Sequence, residues 1–191
     1  MCIALVSLVL TPVLSHGATY TIDPEHSSIQ FKVRHLMVSN VKGVFSKVQG
    51  VIDIDDSDVT KSKVKVNIDT ESINTGVAKR DEHLRSADFF DVSKYPAMTY
   101  VSKKVVKSSE GKLKMVGDLT LHGITREVVL DVEGLSNEAK DPWGKMRRGA
   151  SAAATINRKD FGLTWNKALE TGGVVVGDEV IISLEVEMIK E

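Results

Sequence analysis

Histidines, a basic run and one thiol are the groups in this 191-residue chain whose chemistry goes beyond packing. His26, His35, His83 and His122 are the metal-ligand candidates, yet their spacings match no helical or hairpin ligand pattern such as His-x-x-x-His, so no metal is expected. Asp23 with His26 reads instead as a tied-down turn, and His122 before Gly123 as a strand-to-strand turn. The single cysteine, Cys2, excludes a disulfide framework, a cysteine zinc site and an internal Cys-x-x-Cys redox pair. Nucleophile elbows, phosphate loops and dinucleotide glycine fingerprints are all missing. Ser27 beside His26 is a neighbour in sequence only, because adjacent strand residues point to opposite faces. No catalytic residue is assigned, no cofactor is required, and an enzyme is disfavoured.

The basic run is Lys79, Arg80, His83 and Arg85, with Asp81 and Glu82 neutralising part of it. Arg80, His83 and Arg85 could meet a pyrophosphate or quinone head group. A solvated helix face, with Lys79 paired to Glu82 and Asp81 to Arg85, is the competing account.

Over the whole chain, 25 Lys+Arg stand against 26 Asp+Glu, a formal net charge of -1. That balance attracts neither nucleic acid nor an anionic membrane surface. Residues 1–17 are apolar and uncharged through Leu14, then carry small residues at a signal-peptidase position, Ser15-His16-Gly17. They read as a cleaved export signal, although no Lys or Arg precedes the apolar run. The remainder, residues 18–191, contains no apolar stretch long enough to span a membrane as a helix and reads as one domain.

What positions the reactive groups is a set of strands. Ile29, Phe31 and Val33 alternate with polar residues, as do Val64, Val66 and Ile68. From Asn40 to Asp55 one long strand changes phase between Phe45 and Val48, which predicts a bulge near Ser46-Lys47. Further strands are expected over Met98–Lys107, Lys112–Leu121, Thr125–Leu135, Arg148–Asn157 and Glu179–Met188. Val77–Ser86 alone breaks the period of two, follows the cap-type residues Asn74 and Thr75, and predicts one short helix.

About eight antiparallel strands in one all-β domain leave a two-sheet sandwich or a closed barrel. The run from Gly149 to Ala154 gives a strand segment to very small side chains. Either a neighbour packs closely there or the strand lines space for a guest.

Several stretches resemble the YceI-like family, also described as polyisoprenoid-binding and lipocalin-like. They are Asp23-x-x-His26-Ser27 with Ile29, Phe31, Val33 and His35; Gly43-x-Phe45; Arg80-Asp81-x-His83-Leu84; and Asp88-Phe89-Phe90-Asp91 with Tyr95-Pro96. Gly117-x-Leu119-Thr120-x-His122-Gly123, Asn157 to Gly162 and Val176 to Val180 continue the resemblance in order. It implies an extended antiparallel lipocalin-like β-barrel, export to the periplasm, in many members a homodimer, and an interior that holds a long isoprenoid lipid or quinone. Strand phase, motif position and the helix then select the wall of such a tunnel. Phe31, Val33, Phe45 and Ile52 come from the first half, followed by Val66, Ile68, Leu84, Phe89 and Met98. Met115, Leu119, Leu130, Ala152, Ala154 and Trp165 complete it. A lipid-free scaffold for stress protection or partner binding is the alternative.

Overall fold

The computed structural model describes residues 17–109, 111–170 and 172–191, so the expected export signal lies almost wholly outside the described residues. Alternation along the chain does become strands. They are β1 (Ala18–Ile22), β2 (Ser28–His35), β3 (Ser39–Phe45), β4 (Val48–Ile54), β5 (Lys63–Asp69) and β6 (Ile73–Asn74). After helix α1 (Ala78–Arg85) follow β7 (Ala97–Ser109), β8 (Lys112–Leu121), β9 (Ile124–Glu133), β10 (Ala139–Lys140), β11 (Met146–Asn157) and β12 (Val176–Lys190).

Pairing shows how twelve strands make an eight-ribbon barrel with short outlying pieces. The C-terminal end of β12 pairs with β1 through Met188–Lys190, and its first part pairs with β2 through Val176–Glu185. β1 and β2 are therefore two halves of one ribbon, bent where Asp23 to Ser27 turn. β3 pairs with β2 and β4 with β1, so they form the next ribbon in the same way. From β4 the sheet runs antiparallel through β5, β7, β8 and β9 to β11, and the β11–β12 ladder closes it. Closure removes the sheet edges that an open arrangement would leave unpaired.

The phase change between Phe45 and Val48 is present, as a break at Ser46-Lys47 between two strands rather than a bulge within one. Both flanking residues stay buried across it. Ser72 holds the break, its carbonyl accepting from Ser46 N and its Oγ from Lys47 N. His122 and Gly123 form the two-residue turn between β8 and β9, both at positive φ, with the Tyr95 ring meeting the histidine edge-on, centroids 4.5 Å apart.

The helix is where expected, but its contacts are not. Asp81 and Arg85 do not serve one another. Buried Asp81 accepts from the backbone N and Oγ1 of Thr75, tying the helix to the segment before it. Arg85 donates to the carbonyls of Glu71 and Ile73. A backbone carbonyl already fixed at hydrogen-bond distance is worth more to a guanidinium than an exposed helical ion pair.

Candidate functional site: an apolar tunnel through the barrel

Alternation on a closed sheet forces every second side chain inward, and the volume of those side chains decides whether the middle fills. It does not fill. A cavity of about 400 Å³ runs through the barrel, within the roughly 300–1,000 Å³ typical of small-molecule sites. On β8 alone its wall extends from Leu113 to Leu121, roughly 26 Å of strand at about 3.3 Å per residue. Phe31, Val33, Val64, Val66, Leu130, Ala150, Ala152, Leu184 and Val186 all face inward, yet each remains only half-buried because it borders this space.

The small-residue strand is one cause. Ala150 and Ala152 border the cavity, with Ala152 directly across from Leu184 of β12 and Val132 of β9. Gly117 has a different reason. A Cβ there would lie 2.5 Å from Tyr100 Cζ and 2.7 Å from the Val101 carbonyl, so the glycine makes room for the tyrosine ring. Tyr100 then spends its hydroxyl on the carbonyls of Met115, at 2.9 Å, and Val128, at 3.3 Å, which leaves a hydrocarbon face toward the cavity. Burial pushes that phenol well above its ordinary pKa.

Of the tunnel residues selected from sequence, fourteen border the cavity: Phe31, Val33, Phe45, Ile52, Val66, Ile68, Leu84, Phe89, Met98, Met115, Leu119, Leu130, Ala152 and Trp165. Ala154 does not. It is buried in the core opposite Ile182, just beyond the last β11–β9 pair, Ala153 with Asp131. Arg80 and His83 border the cavity too, whereas Arg85 is turned to the Glu71 and Ile73 carbonyls on the other side of α1.

One mouth is built from α1 and the chain around it. His83 meets Phe89 and Trp165 edge-on, with centroids 5.1 and 5.0 Å away, and Phe89 lies 5.1 Å from Trp165. Asp88 Oδ2 holds His83 Nε2 at 2.8 Å. Arg80 donates to Thr75 Oγ1 and to the Thr75 carbonyl. Trp165 is held in place by Arg158, a buried guanidinium that donates to the carbonyls of Leu163, Trp165, Val176 and Gly177. Burial lowers the pKa of Arg158, and the carbonyls, together with Asp178 Oδ1 at 3.6 Å, meet its charge.

Sequence reasoning noticed the Asn157 to Gly162 stretch without giving Arg158 this task. A lone buried arginine in a 3-10 turn carries no period by which to find it. Arg34 and His35, at the end of β2, and Phe90, outside any strand, border the cavity and were likewise not selected. Among the described residues that border it there is no carboxylate, no lysine and no thiol. The chemistry on offer is to enclose an apolar chain and to meet a polar group at the lip.

A second cluster lies away from the cavity. Asp23, His26 and Glu187 place ligand-type atoms within 4.8 Å of one another. A cation already occupies that centre, because Arg147 Nη1 sits 2.6 Å from both Asp23 Oδ2 and Glu187 Oε1. Arg147 Nε reaches Asp141 at 2.7 Å. Arg147, ahead of the His26 and Glu25 contacts, holds the Asp23 carboxyl down at about 2. The hub fastens the bend between β1 and β2 to the start of β11. No helix among the described residues is long and apolar enough to cross a membrane.

Known proteins share this architecture. The pattern of the YceI-like domain matches residues 20–188. A UPF0312 protein of Vibrio cholerae is 41% identical over 165 residues, covering 85% of this chain and 87% of that one. One from Staphylococcus aureus is 42% identical over 163 residues, covering 84% and 91%. The crystal structure of the Campylobacter jejuni YCEI protein superposes with a TM-score of 0.70 at 38% identity, over 82% of this chain and 89% of that one. A polyisoprenoid binding domain from Saccharophagus degradans shares the fold at a TM-score of 0.65 and 17% identity, over 92% and 100%.

Proposed function

The chain belongs to the YceI-like family, and from that premise we propose that it binds, carries or sequesters a long-chain isoprenoid lipid, a polyprenyl or quinone compound, without chemically changing it. The observation that carries this reading is the long apolar cavity of about 400 Å³. Each methylene moved from water into such a space contributes about 0.8 kcal/mol. A dozen carbons contribute roughly 10 kcal/mol, against an association cost of about 4 kcal/mol or more. Apolar contact is then sufficient for binding, and each added carbon tightens it about fourfold until the cavity is full.

The lip supports a polar end. Arg34, His35, Arg80 and His83 border the cavity near the α1 mouth and would surround a head group left outside the apolar section. The name carried by the Saccharophagus degradans domain is in keeping with this class of cargo. In this proposal residues 1–17 direct export to the periplasm and are removed, and the protein works there, as a homodimer in the form its resemblance implied.

The test is extraction of protein purified from its native compartment, followed by mass spectrometry of the apolar fraction. A prenyl compound near one per chain is expected. Recovery of no apolar compound, together with no binding of hydrocarbons of increasing length in vitro, would overturn the proposal.

A further inference from the structure

The hairpin joining β2 to β3 ends in three apolar residues turned to solvent: Leu36 is 38% exposed, Met37 49% and Val38 75%. Leu36 and Met37 both adopt left-handed backbone, φ 49° and 59°, where bulky L-residues are strained. Asn or Gly would make this turn at less cost and without exposed hydrocarbon. The tip is nevertheless held firmly. Leu36 N donates to the Val175 carbonyl at 2.8 Å, and Arg34 Nη2 to the Met37 carbonyl at 2.9 Å.

Its position and charge identify what it meets. Arg34, His35, Val175 and Val176, which flank or anchor the tip, also border the cavity. From Ser28 to Phe45 the hairpin carries Lys32, Arg34 and Lys42, and no Asp or Glu. Lys32 and Lys42 are register partners, so two like charges lie directly across from one another, an arrangement that destabilises a free hairpin. The overall charge of -1 conceals this local excess.

Extending the lipid-carrying reading, on which this inference rests, we propose that the β2–β3 tip docks on an anionic lipid bilayer. Leu36, Met37 and Val38 enter the interface, and Lys32, Arg34 and Lys42 lie against the acidic head groups. An apolar tail then passes between bilayer and cavity over the Arg34–Val176 rim without crossing open water.

The experiment uses the mature chain of that reading, residues 18–191, which contains no cysteine, with Met37→Cys carrying a polarity-sensitive dye. Phosphatidylglycerol vesicles at low salt should shift its emission to the blue, and phosphatidylcholine vesicles should do so far less. Lys32→Gln and Lys42→Gln should each weaken the response about fivefold. The same dye at Trp143→Cys should not respond. Trp143 is exposed on the turn before β11, whose first residues pair with the far end of β12.

No shift with phosphatidylglycerol, or a shift indifferent to both lysines, overturns the docking proposal. So does a shift that depends on protein concentration without vesicles, which would place a second copy on the tip. Titration of the same protein with a pyrene-labelled hydrocarbon in the absence of vesicles separates the two readings. Hydrocarbon bound without a dye shift removes docking alone. Failure to bind hydrocarbon removes the cavity reading and the docking inference with it.

Discussion

Replacing Ala152 by phenylalanine distinguishes a cavity from a core by the sign of its effect. Ala152 sits on the cavity wall, half-buried, opposite Leu184 and Val132. The new ring places six carbons where cargo carbons would lie. At about 0.8 kcal/mol each, the lost contact is roughly 5 kcal/mol, more than a thousandfold in affinity. In the lipid-free protein the same ring moves into apolar space and stabilises the fold by up to about 2 kcal/mol. A close-packed interior would respond in the opposite way, since overpacking costs about 1–3 kcal/mol. Hydrocarbon titration followed by fluorescence measures the first quantity, and urea unfolding of lipid-free protein the second. If Ala152→Phe loses stability by more than about 1 kcal/mol while binding is unchanged, the cavity argument is wrong.

Gly117→Ala should lower stability by about 2 kcal/mol in urea unfolding, and Tyr100→Leu should not restore it fully, because the Val101 carbonyl is backbone and cannot move aside. Arg158→Met should cost at least about 3 kcal/mol by leaving buried carbonyls unpaired, and should loosen Trp165, seen as a red shift in tryptophan emission. Arg147→Met tests the charge hub through pH. The Asp23 pKa is depressed, so its contribution is fully present above the unfolded value near about 4 and is lost as pH falls through about 2. Asp141, held low first by Arg147, acts in the same direction. The stability gap between wild type and Arg147→Met should therefore close as pH drops through this window; a gap that stays constant would remove the hub from the account.

How much of this was legible depended on periodicity. Alternation gave the inward phase of β2 and β5, and with it part of the cavity wall, because a period of two fixes a side chain's face before any partner is known. The phase change between Phe45 and Val48 was visible for the same reason. What it meant was not: a bulge and a break between ribbons leave the same trace in one strand, and only the pairing of β3 with β2 and β4 with β1 separates them.

Isolated polar residues were the least readable. Arg85 and Asp81 stood at ion-pair spacing, and each found a better partner in backbone or hydroxyl groups brought in by the fold. Arg158 and Arg147 join segments far apart in the chain, so no local pattern announces them.

Taken alone, the amino-acid order determined strands, their faces, one helix and a wall of small and apolar side chains. Whether that wall encloses space was a tertiary matter, since the room inside depends on ring closure between β11 and β12 and on side chains such as Tyr100 lying over Gly117. A face is a property of the local backbone. A volume belongs to all eight ribbons at once.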